Sequence, residues 1–164
     1  MSHTNFAKYV TLYLRLALAA AYLSSVADRF GLWGAGVGWG NFANFLDYTA
    51  RLNPFLPRSF IPTIGWIATF LETSIAVFLI LGFRIRETAF VSGSLLILFA
   101  IGMSIGLGVK SSLDYSVFTA SAASFLLAIH HRECFLCFDA ILRTNSCEQV
   151  TPCSQIRSEL VANL

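Results

Sequence analysis

Apolar residues run along this chain in four long stretches, with polar residues collected between them. The stretches lie at about 9–26, 60–81, 88–109 and 114–129. A helix needs about 20 mostly apolar residues to cross the hydrocarbon core of a bilayer. Only helices and closed barrels satisfy their backbone groups in lipid, and runs of this length are too long for barrel strands. The pattern therefore predicts an all-α membrane protein, with a four-transmembrane-helix bundle over residues 1–131.

Small and hydroxyl residues mark the later part of this predicted bundle. The fourth stretch is interrupted by serine and threonine, whose hydroxyls can bond to a neighbouring helix, so we expect it inside the bundle. The Gly102 and Gly106 spacing also allows association with a second copy, and a homo-oligomer therefore stays open. Close helix packing is predicted at Ser92, Gly102, Gly106, Ala120 and Ser124.

The loop between the first two stretches has a pattern of its own. Five glycines interleave with Trp33 and Trp39, and the segment NFANFLDYTARL follows with apolar residues at helical spacing. This pattern predicts a short amphipathic helix in the headgroup region, with both tryptophans as interfacial anchors. The glycines do not form a phosphate loop, because no strand precedes them and their spacing differs.

Composition strengthens the membrane prediction and excludes two classes of function. Hydrophobic residues make up 56% of the 164 positions and charged residues only 12%, whereas soluble domains carry roughly 25% charged residues. A soluble enzyme is therefore excluded. A net charge of +2 gives no basic surface for nucleic acid, so the lipid bilayer is the expected partner.

The distribution of lysine and arginine favours both termini in the cytoplasm. An even number of spanning helices places the two termini on one side of the membrane. Under this orientation five basic residues near helix ends face the cytoplasm and four, including Arg29 in the first loop, face the opposite side. The positive-inside bias is small but points in this direction.

Several motifs resemble the DoxX-like family of small bacterial membrane proteins, which includes DoxX, DoxD and MauE. The resemblance covers roughly residues 10–130. Asp28-Arg29 stands where the family has a histidine and a lysine. The similar motifs are Leu14-Arg15-Leu16, Phe30-Gly31, the Phe- and Pro-containing segment 45–57, and the segment Gly65–Arg86, which carries Glu72 and closes with Leu81-Gly82-Phe83-Arg84.

The resemblance implies a four-helix bundle in the bacterial inner membrane and a redox-linked role, but it implies no particular reaction. Some members are subunits of quinone-linked thiosulfate oxidation, and others belong to thiol or oxidative-stress complexes. The leading hypothesis is an accessory subunit of a larger membrane complex, with other subunits as partners. The alternative is a quinone-binding subunit of an oxidoreductase, with Glu72 as proton acceptor. A small-solute transporter ranks last, because the sequence shows no inverted repeat or broken helix. Whether the chain is an enzyme stays open.

Two charged residues interrupt the apolar stretches. Glu72 falls about 16 Å along the second helix and Arg15 about 9 Å along the first from the opposite face. An ionisable residue at this depth is costly and marks a functional site. We therefore predict that Arg15 and Glu72 face the interior and lie close together. They would form either a structural ion pair or the polar floor of a pocket for a quinone or lipid headgroup or a proton relay. Protonation of Glu72, or extension of Arg15 to the interface, remains a further alternative.

All four cysteines lie in a short tail, residues 132–164. Its first part, residues 135–142, is apolar yet too short and too charged to span, so we expect the tail to be an interfacial or partner-contacting appendage outside the bundle. The thiols could bind a metal, form two disulfides, act as a redox dithiol or have no special role. The cysteines are Cys134, Cys137, Cys147 and Cys153.

A cytoplasmic tail should keep its four thiols reduced or metal-bound, because that compartment reduces disulfides. Free-thiol counting on unreduced protein, with metal analysis before and after chelation, is expected to give four thiols once any metal is removed. Two disulfides would instead place the tail outside the cytoplasm and reverse the predicted orientation.

Overall fold

The computed structural model describes residues 3–34 and 36–131, and this part of the chain is helical without strands. The predicted tail at 132–164, with its four cysteines, lies outside the described residues. The helices are α1 (His3–Arg29), α2 (Phe42–Leu52), α3 (Ile61–Leu81), α4 (Ile85–Gly106), α5 (Val109–Asp114) and α6 (Val117–Ile129), and a short 3-10 turn at Arg58–Phe60 precedes α3.

Three segments are long and apolar enough to cross a membrane: Phe6–Arg29, Arg58–Leu81 and Ile85–Gly106. The prediction of an all-helical protein is therefore confirmed for the described residues, with three helices that could cross a membrane. The predicted four-helix membrane bundle is not confirmed. The fourth predicted stretch contains the end of α5 and the 13-residue α6, which is about 20 Å long and shorter than the hydrocarbon core. A break at Ser116, whose φ of +53° is left-handed, separates these two helices.

The core lies where α1, α3, α4 and α6 meet. Helix α1 packs antiparallel to α3, and α4 packs against α6. The outward faces carry many exposed large apolar side chains, as expected where lipid replaces water as the surrounding solvent. The buried apolar cluster consists of Leu18, Ala19, Tyr22, Ile75, Ala76, Leu79, Ile85, Ala89 and Leu127.

Buried hydroxyls join three of these helices. The Tyr22 hydroxyl of α1 lies 2.8 Å from Ser92 Oγ of α4, which in turn lies 3.1 Å from Ser124 Oγ of α6. Ser121 Oγ of α6 donates to the Gly93 carbonyl at 2.9 Å. Hydrogen bonding satisfies these groups in an apolar interior. Ser121 and Ser124 of the fourth apolar stretch therefore face the neighbouring helices, whereas Ser116 and Thr119 are exposed.

The small residues of α4 differ in what they contact. Apart from its own stretch of helix, no described atom lies within 4 Å of the position that a Cβ would take at Gly102. A Cβ at Gly106 would collide with the end of α2, at Arg51 O and 2.6 Å from Leu52 Cα. Gly93, which sequence reasoning did not select, packs on the Phe125 ring, and a Cβ added there would lie only 2.9 Å from the ring. Ala120 of α6 packs at the edge of the core.

A helix forms in the first loop, where the amphipathic pattern predicts one. Asn41 caps α2 by accepting from Asn44 N at 2.8 Å, as N-cap asparagines do. Phe45 and Thr49 are its buried residues. Leu46 and Phe45 pack against Gly65 of α3. Helix α2 therefore covers the first half of α3 and reaches the end of α4.

The contact between Gly106 and α2 predicts unequal effects of two alanine substitutions in α4. Gly106→Ala should lower the free energy of unfolding by about 1–3 kcal/mol, because a methyl group there collides with backbone. Gly102→Ala is the matched control, and it should be neutral or slightly stabilising, because alanine favours a helix by about 1 kcal/mol over glycine. Thermal unfolding of both variants in the same detergent checks this, and equal midpoints would contradict the α2 contact.

Candidate functional site

One ion pair among the described residues is buried. Arg29 Nη2 lies 2.5 Å from Glu72 Oε1, and the two side chains are only 3% and 2% exposed. The other two ion pairs, Arg84–Glu87 and Lys110–Asp114, lie on the surface. Arg29 is the last residue of α1, whereas Glu72 lies halfway along α3. Helix α1 therefore ends opposite the middle of α3, and the charges meet inside the protein.

The structure corrects the predicted partner of Glu72. Arg15 and Glu72 are both buried, but the cation next to Glu72 is Arg29. Arg15 donates instead to carbonyls in the last turn of α3, from Nε to Leu79 O at 2.8 Å and from Nη2 to Ile80 O at 3.0 Å. These are carbonyls that the end of a helix leaves without a helical partner.

The physical reason for the correction is the stagger between α1 and α3. The sequence-based depths assume that both apolar stretches begin at opposite membrane surfaces. Leu79 lies seven residues beyond Glu72, which is about 10 Å along the helix, so Arg15 is one to two turns from the predicted position. Arg29, assigned from sequence to the loop, is a helical residue at the depth of Glu72.

The guanidinium of Arg29 has polar neighbours at its edges and aromatic rings over its face. Nη1 donates to Thr69 Oγ1 at 2.7 Å, and Nη2 also donates to Ser25 Oγ at 3.3 Å. The Phe45 ring centroid lies 4.0 Å from Cζ and the Trp39 centroid 5.7 Å. Both rings are within the range of cation–π attraction, so α2 and the first loop help to hold the charge.

Two polar atoms of the buried pair have no hydrogen-bond partner among the described residues. They are Arg29 Nε, a donor, and Glu72 Oε2, an acceptor. The Ser25 hydroxyl lies near the Glu72 carboxylate. It does not form a hydrogen bond with Oε2. A buried polar atom without a partner costs about 1–3 kcal/mol, and more for a charged group. An ordered water or a bound ligand would satisfy both atoms.

Asp28 holds the first loop against the end of α1 through hydrogen bonds to the loop backbone. Its carboxylate accepts from Trp39 N at 3.0 Å and from Gly40 N at 3.4 Å. Gly38 has a φ of +57° and packs directly on this carboxylate, where any Cβ would collide. Trp33 Nε1 donates to Ser24 O at 3.1 Å. The loop thus folds back onto the last turns of α1.

The predicted interfacial anchors therefore have different surroundings. Trp33 is 58% exposed, whereas Trp39 is partly buried between Arg29 and α2. Sequence reasoning gave Asp28 and Arg29 no role in a site. Their adjacency at the end of an apolar run, directly before Phe30-Gly31, was the available signal that the helix extends to this point.

A row of aromatic rings connects the buried pair with the outer surface. From Phe45, which lies on Arg29, the next ring is Phe42 with centroids 5.6 Å apart, followed by Trp66 at 4.6 Å and Phe30 at 6.4 Å from Trp66. Phe30 and Trp66 are 49% and 56% exposed. The row therefore starts at a charged group inside the protein and ends on an apolar face.

Metal binding has no support within the described part of the chain. Residues 3–34 and 36–131 contain no group of three or more histidine, cysteine, aspartate or glutamate side chains that could hold an ion. The cysteines predicted as a metal or thiol site lie beyond these residues.

Comparisons with known proteins add no family. No family model, curated protein or solved structure matches this chain. The DoxX-like resemblance therefore stays a prediction from sequence motifs.

The buried pair predicts a non-additive pattern of stabilities. Arg29→Met should lower the free energy of unfolding by about 3–5 kcal/mol, because it leaves Glu72 buried without its cation. The double variant Arg29→Met/Glu72→Leu should recover most of this loss, because two apolar residues replace the pair.

Thermal unfolding of both variants in one detergent measures the effect. The matched control changes the exposed Arg84–Glu87 pair in the same way, and there each step should alter stability by less than about 1 kcal/mol. If the double variant at 29 and 72 were no more stable than Arg29→Met, the pair would not be the unit described.

Proposed function

We propose that this chain is an integral membrane subunit of a redox assembly, and that its Arg29–Glu72 pair binds the headgroup of a quinone. The observation that carries the proposal is the position of the pair. A buried donor and a buried acceptor without described partners lie at the inner end of an aromatic row that reaches the apolar surface. Ionisable residues inside a membrane protein commonly mark substrate sites.

A quinone matches the chemistry of both ends of this row. Its flat ring can stack on aromatic side chains such as Phe42 and Trp66, and ring pairs of this kind are favourable. Its oxygen can accept a hydrogen bond from Arg29 Nε, while its hydrocarbon tail stays in lipid. Apolar ligand sites usually contain a few polar groups that fix orientation, and the ion pair would have this role.

Charge balance favours a quinone over the lipid headgroup that the sequence left open. Arg29 and Glu72 together are neutral, and the unpartnered Glu72 Oε2 belongs to the same ion pair as the unpartnered Arg29 Nε. A phosphate group would place negative charge beside this carboxylate, and like charges in an apolar site repel strongly. A quinone is neutral. Glu72 would accept the hydrogen bond of one hydroxyl of the reduced ring. When a partner subunit takes the two electrons of that ring, Glu72 would accept one of the two protons and water at the membrane surface the other.

Two other hypotheses remain for comparison. A non-catalytic accessory subunit would keep the ion pair as a structural link and would purify with partners but without quinone. The transporter hypothesis has no observation in its favour among the described residues. Unlike both of these, the proposed quinone-binding function requires a partner subunit that exchanges electrons with the bound quinone.

Quinone content after mild purification tests the proposal. We expect protein purified from its own membranes to carry extractable quinone, and Arg29→Met/Glu72→Leu to retain less than about a tenth of it, because hydrogen bonds to charged groups contribute about 1.5–3 kcal/mol. Chromatography of solvent extracts measures the quinone per protein, and the same samples show which subunits purify together.

The matched control is Arg84→Met/Glu87→Leu, which makes identical residue changes at an exposed pair and should retain the wild-type amount. Equal quinone in all three proteins, or none in the wild type, would contradict the proposed site. Partners without quinone would support the accessory hypothesis instead.

A further inference from the structure

We infer that the Arg29–Glu72 site distinguishes the two redox forms of its ligand and prefers hydroquinone over quinone. The inference rests on the proposed function and adds which form is held. It follows from the identity of the two unpartnered atoms. One is a donor, Arg29 Nε, and the other is an acceptor, Glu72 Oε2, so a complete match needs a ligand group that both accepts and donates.

The oxygens of the two redox forms differ in this respect. A quinone oxygen is a carbonyl that only accepts, so it can satisfy Arg29 Nε but not Glu72 Oε2. A hydroquinone oxygen is a hydroxyl, which accepts through its lone pairs and donates its proton. It can therefore accept from Arg29 and donate to Glu72. A carbonyl would also bring its own lone pairs towards the carboxylate.

Both unpartnered atoms belong to one ion pair. Each lies next to an atom that already takes part in the contact between Arg29 and Glu72. Nε shares Cζ with Nη2, and Oε2 shares Cδ with Oε1, while Nη2 and Oε1 are 2.5 Å apart. The other edge of the guanidinium is occupied, because Nη1 donates to Thr69 Oγ1. In the proposal, a single headgroup would therefore meet both atoms along the Nε–Nη2 edge, which Thr69 does not occupy.

The aromatic face supports the same ligand. Phe45 covers the guanidinium at 4.0 Å and is itself only 5% exposed, so water has little access from that side. In such a site, an analogue that lacks the expected hydroxyl leaves a charged group without its partner. We expect hydroquinone to bind at least about tenfold more tightly than quinone, because a hydrogen bond to a charged group contributes about 1.5–3 kcal/mol.

The alternative is that the pair satisfies itself. A small rotation of the guanidinium would let Nε and Nη2 donate to both carboxylate oxygens as a two-bond fork, a common arrangement for arginine and carboxylate. In that case no acceptor is left for a hydroxyl, and the two redox forms would bind alike. A bridging water that the ligand does not displace gives the same result.

The test compares three probes on the wild-type protein in detergent micelles under anaerobic conditions. The probes are a decyl-substituted benzoquinone, the corresponding hydroquinone, and the dimethyl ether of that hydroquinone, which keeps the ring but donates no hydrogen bond. Titration calorimetry measures each dissociation constant. We expect the hydroquinone to bind most tightly, with a dissociation constant at least about tenfold below that of the quinone, and the ether to bind most weakly.

Two variants locate the preference, and one serves as a control. Glu72→Gln replaces the carboxylate with a neutral amide and should bring the ratio of the two dissociation constants close to one. Arg29→Lys keeps the positive charge but has no Nε donor, and should weaken both forms. Ser94→Ala removes a hydroxyl that bonds to Phe90 O on the exposed face of α4, and should behave as the wild type.

The outcomes separate the two proposals. Equal binding of quinone and hydroquinone would overturn the redox preference and leave the quinone site standing, whereas failure of all three probes to bind would overturn the proposed function itself. A full hydroquinone preference in Glu72→Gln would also contradict the inference, because Glu72 would not be the acceptor. If that variant does not fold, the three probes on wild-type protein decide the question alone.

Discussion

The burial of a charged pair is the constraint on which the first half of this protein depends. An isolated charge in an apolar interior costs many kcal/mol, and it is tolerated only with a partner and further hydrogen bonds. Glu72 receives its cation from the end of α1, and Arg29 is supported in turn by Thr69 and by the ring of Phe45. Helices α1, α2 and α3 are therefore tied to one another through a single point.

Most of the helical elements could be predicted, because they depend on local patterns. Apolar runs of sufficient length indicated α3 and α4 to within a few residues, and the periodicity after Asn41 indicated α2. The start and end of α1 were less predictable. Helix α1 ends just before Gly31, whose φ is +69°. Leu32 N donates to Ala27 O at 3.0 Å, and this arrangement around a left-handed glycine is a common helix terminus. The drop in hydropathy near residue 26 concealed it.

The candidate site was only half predictable for a related reason. Glu72 stands out because an ionisable residue interrupts an apolar run, and this signal is contained in one helix. Its partner depends on how far α1 slides along α3, which is a tertiary property decided by packing and by the contact of Arg15 with the last turn of α3. The hydrogen bonds from the loop backbone to Asp28 join residues 11 and 12 positions apart. The periodicity of apolar residues does not predict contacts of this kind.

The stagger of α1 also has a consequence for the surrounding bilayer. Because Arg15 bonds to the last turn of α3 and Thr11 and Leu14 are still packed, the residues of α1 that extend past that end of α3 are those from His3 to Val10, about 12 Å of helix. Phe6, Lys8 and Tyr9 on this extension are exposed. The apolar surfaces of α1 and α3 are therefore offset along the helix axis, although the two candidate spans are equally long at 24 residues. Such a mismatch is relieved by helix tilt or by local changes in membrane thickness, so this chain would deform the membrane more on the α1 side than on the α4 side.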